Sequence, residues 1–303
     1  MKKKIVTKQL SNGVEIPCMG LGTASLTAQN MALSIEAAYN SGCSLIDTGN
    51  AYVSEQYIGG AIKDLENRGV LKREDLFVSS KVGDKLNEKS RPIGYYFYNS
   101  PSAPCHDTKK IVYEQVENTL KHINSDYIDL MLIHWPYYDV LNDIWKCLEE
   151  LYEQRILRSI GVSNCKKRHI ERILRTANYV PMVNQFNISP INTCLDDFEF
   201  CNNNGIIMES YSPLYVLKSP INNEYMHELE KMACKHNKSK AQVVLRWYYQ
   251  KGIIPIPKSS NPIRINENYD IFDFELCEGE MITLDNFNRN YNYLVESIFR
   301  PGY

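Results

Sequence analysis

Short apolar runs rich in β-branched residues alternate along this chain with longer stretches whose apolar positions recur at helical spacing. The runs are Ser44-Leu45-Ile46, Leu76-Phe77-Val78, residues 128–133, Ser159-Ile160-Gly161-Val162, Met182-Val183, Ile206-Ile207-Met208 and Ile253-Ile254. Between them the periodicity predicts helices over 31–41, 112–123, 143–154, 168–177 and 241–250. Met19-Gly20-Leu21-Gly22 adds a short, glycine-broken first strand. Alternating strands and helices imply parallel βαβ units. Eight of them closing on themselves give an α/β fold, the (β/α)8 TIM barrel. A doubly wound open sheet is the other architecture this alternation allows. Its dinucleotide fingerprint fails here, because Gly20-Leu21-Gly22 continues as Thr23-Ala24-Ser25. Residues 5–16 read as a β-hairpin turning at Asn12-Gly13, suited to plug the barrel bottom. With no repeat, low-complexity tract or linker, residues 1–303 read as a single domain.

One stretch breaks the pattern. Residues 83–108, after the third barrel strand, lack periodicity and contain Tyr95, Tyr96, Phe97 and Tyr98. Loops beyond about 12–15 residues are uncommon in compact domains and are usually functional or disordered. In a barrel this extended loop would lie on the catalytic face.

Composition changes the picture little. The 34 basic and 36 acidic residues are interspersed and leave a net charge of −2, which offers no surface for nucleic acid. Met1-Lys2-Lys3-Lys4 is basic, but no apolar region follows it, so no signal peptide is expected. No apolar run approaches the ~18 residues of a membrane span. Nine cysteines at irregular spacings, without a CxxC pair, read as free thiols of a cytoplasmic protein, and no metal site is expected.

Chemistry enters by position. Nearly every apolar strand ends in a reactive polar residue: Asp47, Lys81, His134, Ser163 and Asn164, Gln185, Tyr211 and Lys258. In a parallel barrel those ends form one ring around one mouth. Taken singly they have plainer readings. Asp47 is a strand-end or helix-cap aspartate, Lys81 a solvated lysine, His134 a hydrogen-bonded core histidine, and Tyr52 one of 21 tyrosines.

Together the segments resemble the aldo-keto reductase family. The resemblance lies in Leu45-Ile46-Asp47-Thr48-Gly49-Asn50-Ala51-Tyr52 to Glu55, in Ser80-Lys81-Val82 and in Leu132-Ile133-His134-Trp135-Pro136. It continues through Gly161-Val162-Ser163-Asn164, Tyr211-Ser212-Pro213-Leu214 and Ile256-Pro257-Lys258-Ser259, in order over about residues 8–290. It implies a catalytic tetrad of Tyr52, Asp47, Lys81 and His134. Carbonyl reduction needs a proton donor for the developing alkoxide, and a free phenol of pKa ~10 is a poor one. Lys81 would favour the phenolate, Asp47 would hold Lys81 charged, and His134 would orient the carbonyl.

The resemblance also implies the cofactor NADPH/NADP+. Tyr211 matches the tyrosine that stacks on the nicotinamide; Ser163, Asn164 and Gln185 match the residues that bond its carboxamide. Gly22 and Thr23 match ribose contacts, with Asp47, Ser212 and Leu214 nearby. Lys258, Ser259, Ser260, Arg264, Glu267 and Asn268 match the adenosine and 2′-phosphate site, where Lys258, Ser259 and Arg264 form a clamp at a helix start. A small-molecule carbonyl is the expected partner, and a monomer is the family default.

Three departures bear on substrate. Ala24 stands where many members place Trp, which removes one wall of the aromatic pocket and leaves room for a bulkier substrate. Ser54 replaces the common Asn before Glu55, which weakens hydrogen bonding there while sparing catalysis. The 83–108 loop supplies Tyr95, Tyr96 and Phe97 either as a substrate lid or as a surface or subunit contact. Trp135 is a further pocket wall, and Tyr291, Tyr293, Phe299 and Tyr303 are candidates for the rim. An NADPH-binding redox sensor or partner subunit with little turnover is the alternative function, disfavoured by the complete tetrad.

Overall fold

The apolar runs become a closed ring of strands in the computed structural model, which describes residues 3–83, 107–137, 140–218 and 223–291. A hairpin of β1 (Thr7–Gln9) and β2 (Glu15–Pro17) precedes eight parallel barrel strands. These are β3 (Gly20–Gly22), β4 (Leu45–Asp47), β5 (Phe77–Val82), β6 (Leu130–Ile133), β7 (Ile160–Ser163), β8 (Val183–Phe186), β9 (Ile207–Tyr211) and β10 (Ile254–Ile256). Each pairs with its neighbours in sequence order. A parallel bridge between Gly22 and Lys258, with Gly22 N–H donating to Pro257 O at 3.1 Å, closes the ring.

Helices separate the strands: α1 (Ala28–Asn40), α2 (Ile58–Asn67), α3 (Thr108–Ile123), α4 (Leu141–Glu153), α5 (Lys167–Leu174) and α6 (Leu195–Asn203). α7 (Asn223–His236) and α8 (Lys240–Gln250) lie between β9 and β10; α9 (Pro262–Asn268) and α10 (Glu278–Asp285) follow. On α4 the buried residues Leu141, Ile144, Trp145, Leu148 and Leu151 recur at three- and four-residue steps, forming one stripe. α3 starts at Thr108, four residues before its apolar periodicity, because the Asp107 side chain accepts from Lys110 N–H and caps a polar first turn. Asn124 ends it in the left-handed conformation at φ 51°.

Inside the ring the backbones approach closely. A Cβ on Gly161 would stand 2.5 Å from Val183 O and 2.8 Å from Leu132 Cδ2, so no other residue fits there. The hairpin covers the N-terminal end of the barrel. Asn12 Nδ2 donates to Arg158 O at 2.9 Å, and Lys8 Nζ to Gly252 O at 2.6 Å, both just ahead of barrel strands. Gly13 takes φ +86° at the turn, and Leu10 and Ile16 are buried. The strands begin at Thr7 and end at Pro17, close to the expected 5–16. Most of the loop over 83–108, with Tyr95, Tyr96 and Phe97, lies outside the described residues. Among the described residues no helix is long and apolar enough to cross a membrane.

Candidate active site

Strand alternation points Asp47 of β4, Lys81 of β5, Gln185 of β8 and Glu209 of β9 into the barrel, where they bond one another. Lys81 Nζ donates to Asp47 Oδ1 at 2.8 Å, Asp47 Oδ2 at 2.7 Å and Thr48 O at 2.7 Å. Only 1% of Lys81 and 4% of Asp47 is exposed, so neither charge could persist there without the other. Burial works to discharge Lys81. The charge of Asp47 and its hydrogen bonds outweigh burial and hold the ammonium above its usual range.

Tyr52 is fixed by the turn that carries it. Asn50 N–H donates to Lys81 O at 3.1 Å, and Tyr52 N–H to Gly49 O at 2.8 Å. A 3₁₀ turn, Val53–Tyr57, begins directly afterwards. Glu55 of that turn is fully buried and accepts from Ser80 Oγ at 2.5 Å and Thr119 Oγ1 at 3.0 Å, with His122 Nδ1 at 3.2 Å. The turn is thereby tied to β5 and α3. Ser54, beside it, is buried with its hydroxyl bonded to nothing among the described residues, in line with the weaker hydrogen bonding expected there. The Lys81 ammonium stands 5.2 Å from the centroid of the Tyr52 ring. Since its hydrogen bonds run to Asp47 and Thr48, it acts on the ring through space.

His134 follows β6 and meets the Tyr52 ring edge-on, centroids 5.8 Å apart at 80°. Trp135 stacks behind it at 5.7 Å and 29°. Asn164 sits at φ 59°, a conformation Asn tolerates, and its Nδ2 donates to His134 O at 3.0 Å and Ser163 Oγ at 3.1 Å. Tyr211 Oη donates to Asn164 Oδ1 at 2.9 Å, and Ser163 Oγ to Gln185 O at 2.9 Å. These side chains thus form one bonded shelf.

A cavity of about 280 Å³ opens over this shelf. Tyr52, His134, Trp135 and Asp47 line one side; Ser163, Asn164, Gln185, Tyr211 and Ser212 line another; Gly22, Ala24 and Lys258 complete the rim. Lys81 lies beneath. Thr23 is elsewhere: its hydroxyl is fully buried against Asp47 O at 2.9 Å, behind the wall. Leu214 is half-buried against the core outside the cavity lining. Beyond Lys258 the chain runs through Ser259 and exposed Ser260 to α9, with Arg264 exposed, Glu267 half-exposed and Asn268 buried. The Asn261 side chain caps α9, accepting from Ile263 N–H at 2.9 Å and Arg264 N–H at 3.3 Å. Two amides of the expected anion-binding helix start are therefore already engaged, and an anion there depends on the side chains of Lys258, Ser259 and Arg264. Among the described residues Lys258 and Arg264 form no ion pair, and no cluster of His, Cys, Asp or Glu suited to a metal occurs.

Two participants went unmarked in the sequence. Thr48 contributes only its backbone carbonyl, which no side-chain pattern reveals. Glu209 is a buried acid in the middle of an apolar strand, and that incongruity was its signal. Gln185 Nε2 donates to Glu209 Oε2 at 2.9 Å and to Asp47 Oδ2 at 2.8 Å. Glu209 Oε1 has no partner among the described residues. Burial first, then the charge of Asp47, pushes the Glu209 carboxyl up to about 8, against the opposing pull of the Gln185 hydrogen bond and Lys81.

A second cleft, of about 570 Å³, adjoins the cavity and shares Ala24 and Tyr52 with it; Ala28, Gln29, Ala51 and Val53 are among its walls. The small side chain of Ala24 stands at the junction, and Val53 is 71% exposed on the cleft's far side.

Known proteins share this fold. The model of the aldo/keto reductase family matches residues 18–289. The glyoxal reductase of Bacillus subtilis is 40% identical over 285 residues, covering 94% of this chain and 93% of its own. The 9,11-endoperoxide prostaglandin H2 reductase of Trypanosoma cruzi is 35% identical over 292 residues, covering 93% and 91%. Among solved structures, a Bombyx mori aldo-keto reductase in complex with NADP superposes with a TM-score of 0.83 at 29% identity, over 96% of this chain and 95% of that one. The barrel, the strand-end shelf and these likenesses agree, and the chain belongs to the aldo/keto reductase family.

Proposed function

We propose that the protein reduces an aldehyde or ketone to the alcohol at the expense of NADPH, with Tyr52 as the proton donor. One observation carries this reading: a buried, bonded Asp47–Lys81 pair lies against the ring of Tyr52, and His134 faces that ring across the same cavity. Tyr52 releases its proton to the developing alkoxide, and the Lys81 ammonium stabilises the phenolate left behind. Asp47 keeps Lys81 charged where water is excluded. His134 orients the carbonyl, braced by Trp135 and by the bond from Asn164 to its backbone.

The donor set fits a nicotinamide dinucleotide. When bound, the cofactor supplies the hydride. Ser163, Asn164 and Gln185 would hold its carboxamide, and Tyr211 its ring. Gly22 and Ser212, which line the cavity, would flank the ribose and linking groups, with Thr23 behind the wall and Leu214 outside the lining. Lys258, Ser259 and Arg264, two cations without an ion pair among the described residues and a hydroxyl, would take the 2′-phosphate, which favours NADPH over NADH; Ser260, Glu267 and Asn268 would serve the adenosine. A Bombyx mori aldo-keto reductase solved with NADP and an aldo-keto reductase solved with NADPH support the choice of cofactor. We read the enzyme as a cytoplasmic monomer: all eight described cysteines are free, as a reducing compartment allows.

The test mixes the protein with NADPH and a carbonyl panel, following loss of the reduced nicotinamide's absorbance. Small 1,2-dicarbonyls come first, given the name of the Bacillus relative, and bulky aromatic ketones last, given the open cleft beside Ala24. Wild type is expected to turn over, and Tyr52→Phe to bind NADPH while losing about 10²- to 10⁴-fold in rate. Full activity in Tyr52→Phe would remove Tyr52 from its role. Failure of the wild type to bind NADPH would overturn the whole reading.

A further inference from the structure

We propose that Glu209 is a positioning residue that remains a neutral acid during turnover, locks the amide of Gln185, and sets the alkaline limit of the enzyme by ionising. The inference rests on the NADPH-dependent reading above and concerns a residue with no role in it.

The geometry begins at Gln185. Its Nε2 lies between two carboxyl groups, 2.8 Å from Asp47 Oδ2 and 2.9 Å from Glu209 Oε2. An amide has two N–H donors, and both are committed here. The opposite orientation would turn the amide oxygen toward ionised Asp47, two acceptors facing each other without a proton. The amide is therefore fixed, and Oε1 is left as its uncommitted acceptor in a residue that lines the cavity. A nicotinamide carboxamide offers N–H donors to an acceptor of this kind.

Charge decides the state of Glu209. It is fully buried, one of its oxygens is bonded to nothing among the described residues, and its in-register neighbours on the adjacent strands are Gln185 of β8 and Ile254 of β10. The ionisable groups acting on it are Asp47 from β4, which opposes its ionisation, and Lys81 from β5, which favours it. Lys81 is already matched by the chelating Asp47. A carboxylate at 209 would leave two negative charges against one ammonium in a site closed to water. Burial and Asp47 accordingly raise its ionisation to about pH 8. Above that, the added negative charge opposes the phenolate that Tyr52 must become, and reduction slows.

Two substitutions compared with the wild type supply the contrast. Glu209→Leu removes the acceptor, and its NADPH Kd, read by quenching of protein fluorescence, is expected to rise about tenfold at pH 7. Glu209→Gln keeps an acceptor but cannot ionise; it is expected to recover most of that affinity and to lack the fall in kcat/KM expected of wild type near pH 8. In the unliganded wild type, infrared spectroscopy at neutral pH is expected to show a buried carboxylic-acid carbonyl stretch that is missing in Glu209→Gln. Unchanged affinity in a folded Glu209→Leu, or an alkaline fall retained in Glu209→Gln, would overturn the proposal. Should Glu209→Leu fail to fold, the Glu209→Gln pH profile and infrared difference decide alone. Wild type that binds no NADPH would sink the functional reading and this inference together; wild type that binds with unmoved variants sinks only the inference.

Discussion

The barrel buries an aspartate beside a cation at each of its ends, and the two are built to opposite purposes. At the N-terminal end, Asp129 accepts from Arg73 at 2.8 Å, Arg158 at 3.3 Å and Val78 N–H at 2.9 Å. Both guanidiniums lie over the Tyr127 ring, Arg73 at 4.5 Å and Arg158 at 3.5 Å from its centroid. Both carboxylate oxygens are bonded, and positive charge exceeds negative. At the mouth, Asp47 has one cation and is joined through Gln185 to a second buried acid, one oxygen of which has no partner among the described residues. A fully satisfied network stabilises and specifies; an under-satisfied one raises the energy of the folded state and keeps groups ready for chemistry.

The largest effect expected from this contrast is at the mouth. Lys81→Met should lower kcat/KM by about 10²- to 10⁴-fold, since Tyr52 loses the charge that makes it an acid. At the other end, Asp129→Ala should cost about 3 kcal/mol of stability by stranding Arg73 and Val78 N–H, seen as a lower Tm. Half-exposed Arg158, by contrast, has water to turn to. Activity per folded Asp129→Ala molecule should stay near wild type, because the site lies at the opposite end of the strands. An Asp129→Ala enzyme that folds fully yet fails in steady-state assays would break the division between the two ends.

The contrast sharpens with pH. The Glu209 carboxyl ionises near 4.5 when exposed and at about 8 in the fold. A raised folded value means that the folded state holds the proton more tightly, so stability is greatest below 4.5 and declines as pH rises toward 8, levelling off above. Unliganded wild type should thus lose on the order of a few kcal/mol relative to Glu209→Gln across that window. Denaturant titrations of both proteins at several pH values measure it. A constant difference between them would show that Glu209 does not change its proton count on folding.

Much of this was legible in the sequence because strand alternation and strand polarity act on every barrel strand alike. Apolar runs that end in Asp47, Lys81, His134 and Gln185 must present those residues at one mouth once the strands are parallel. Glu209 stood out only as an acid in an apolar strand; its role was not legible, because that depends on meeting Gln185 Nε2 from another strand. The onset of α3 was hidden by its polar first turn. The helix start at α9 was located, but not that Asn261 takes two of its amides, because a cap residue and an anion compete for the same N–H groups. Tyr95, Tyr96 and Phe97, the expected lid, lie outside the described residues.

The smallest predicted effect tests the substrate side of the mouth. Ala24 and Tyr52 line both the cavity and the adjoining cleft, and at Ala24 only a methyl group projects where the two meet. Ala24→Trp would place an indole in that passage and wall it off. A small aldehyde reaches Tyr52 and His134 without entering the cleft, whereas a bulky aromatic ketone must leave part of its frame there. The ratio of kcat/KM for the bulky substrate to that for the small one should therefore fall about tenfold, the scale of a few methylene groups denied their pocket. The change should appear chiefly in KM, since the proton-transfer groups are untouched. A ratio that stays constant would mean that bulky carbonyls do not use this cleft, and that the specificity of the mouth is set by other walls.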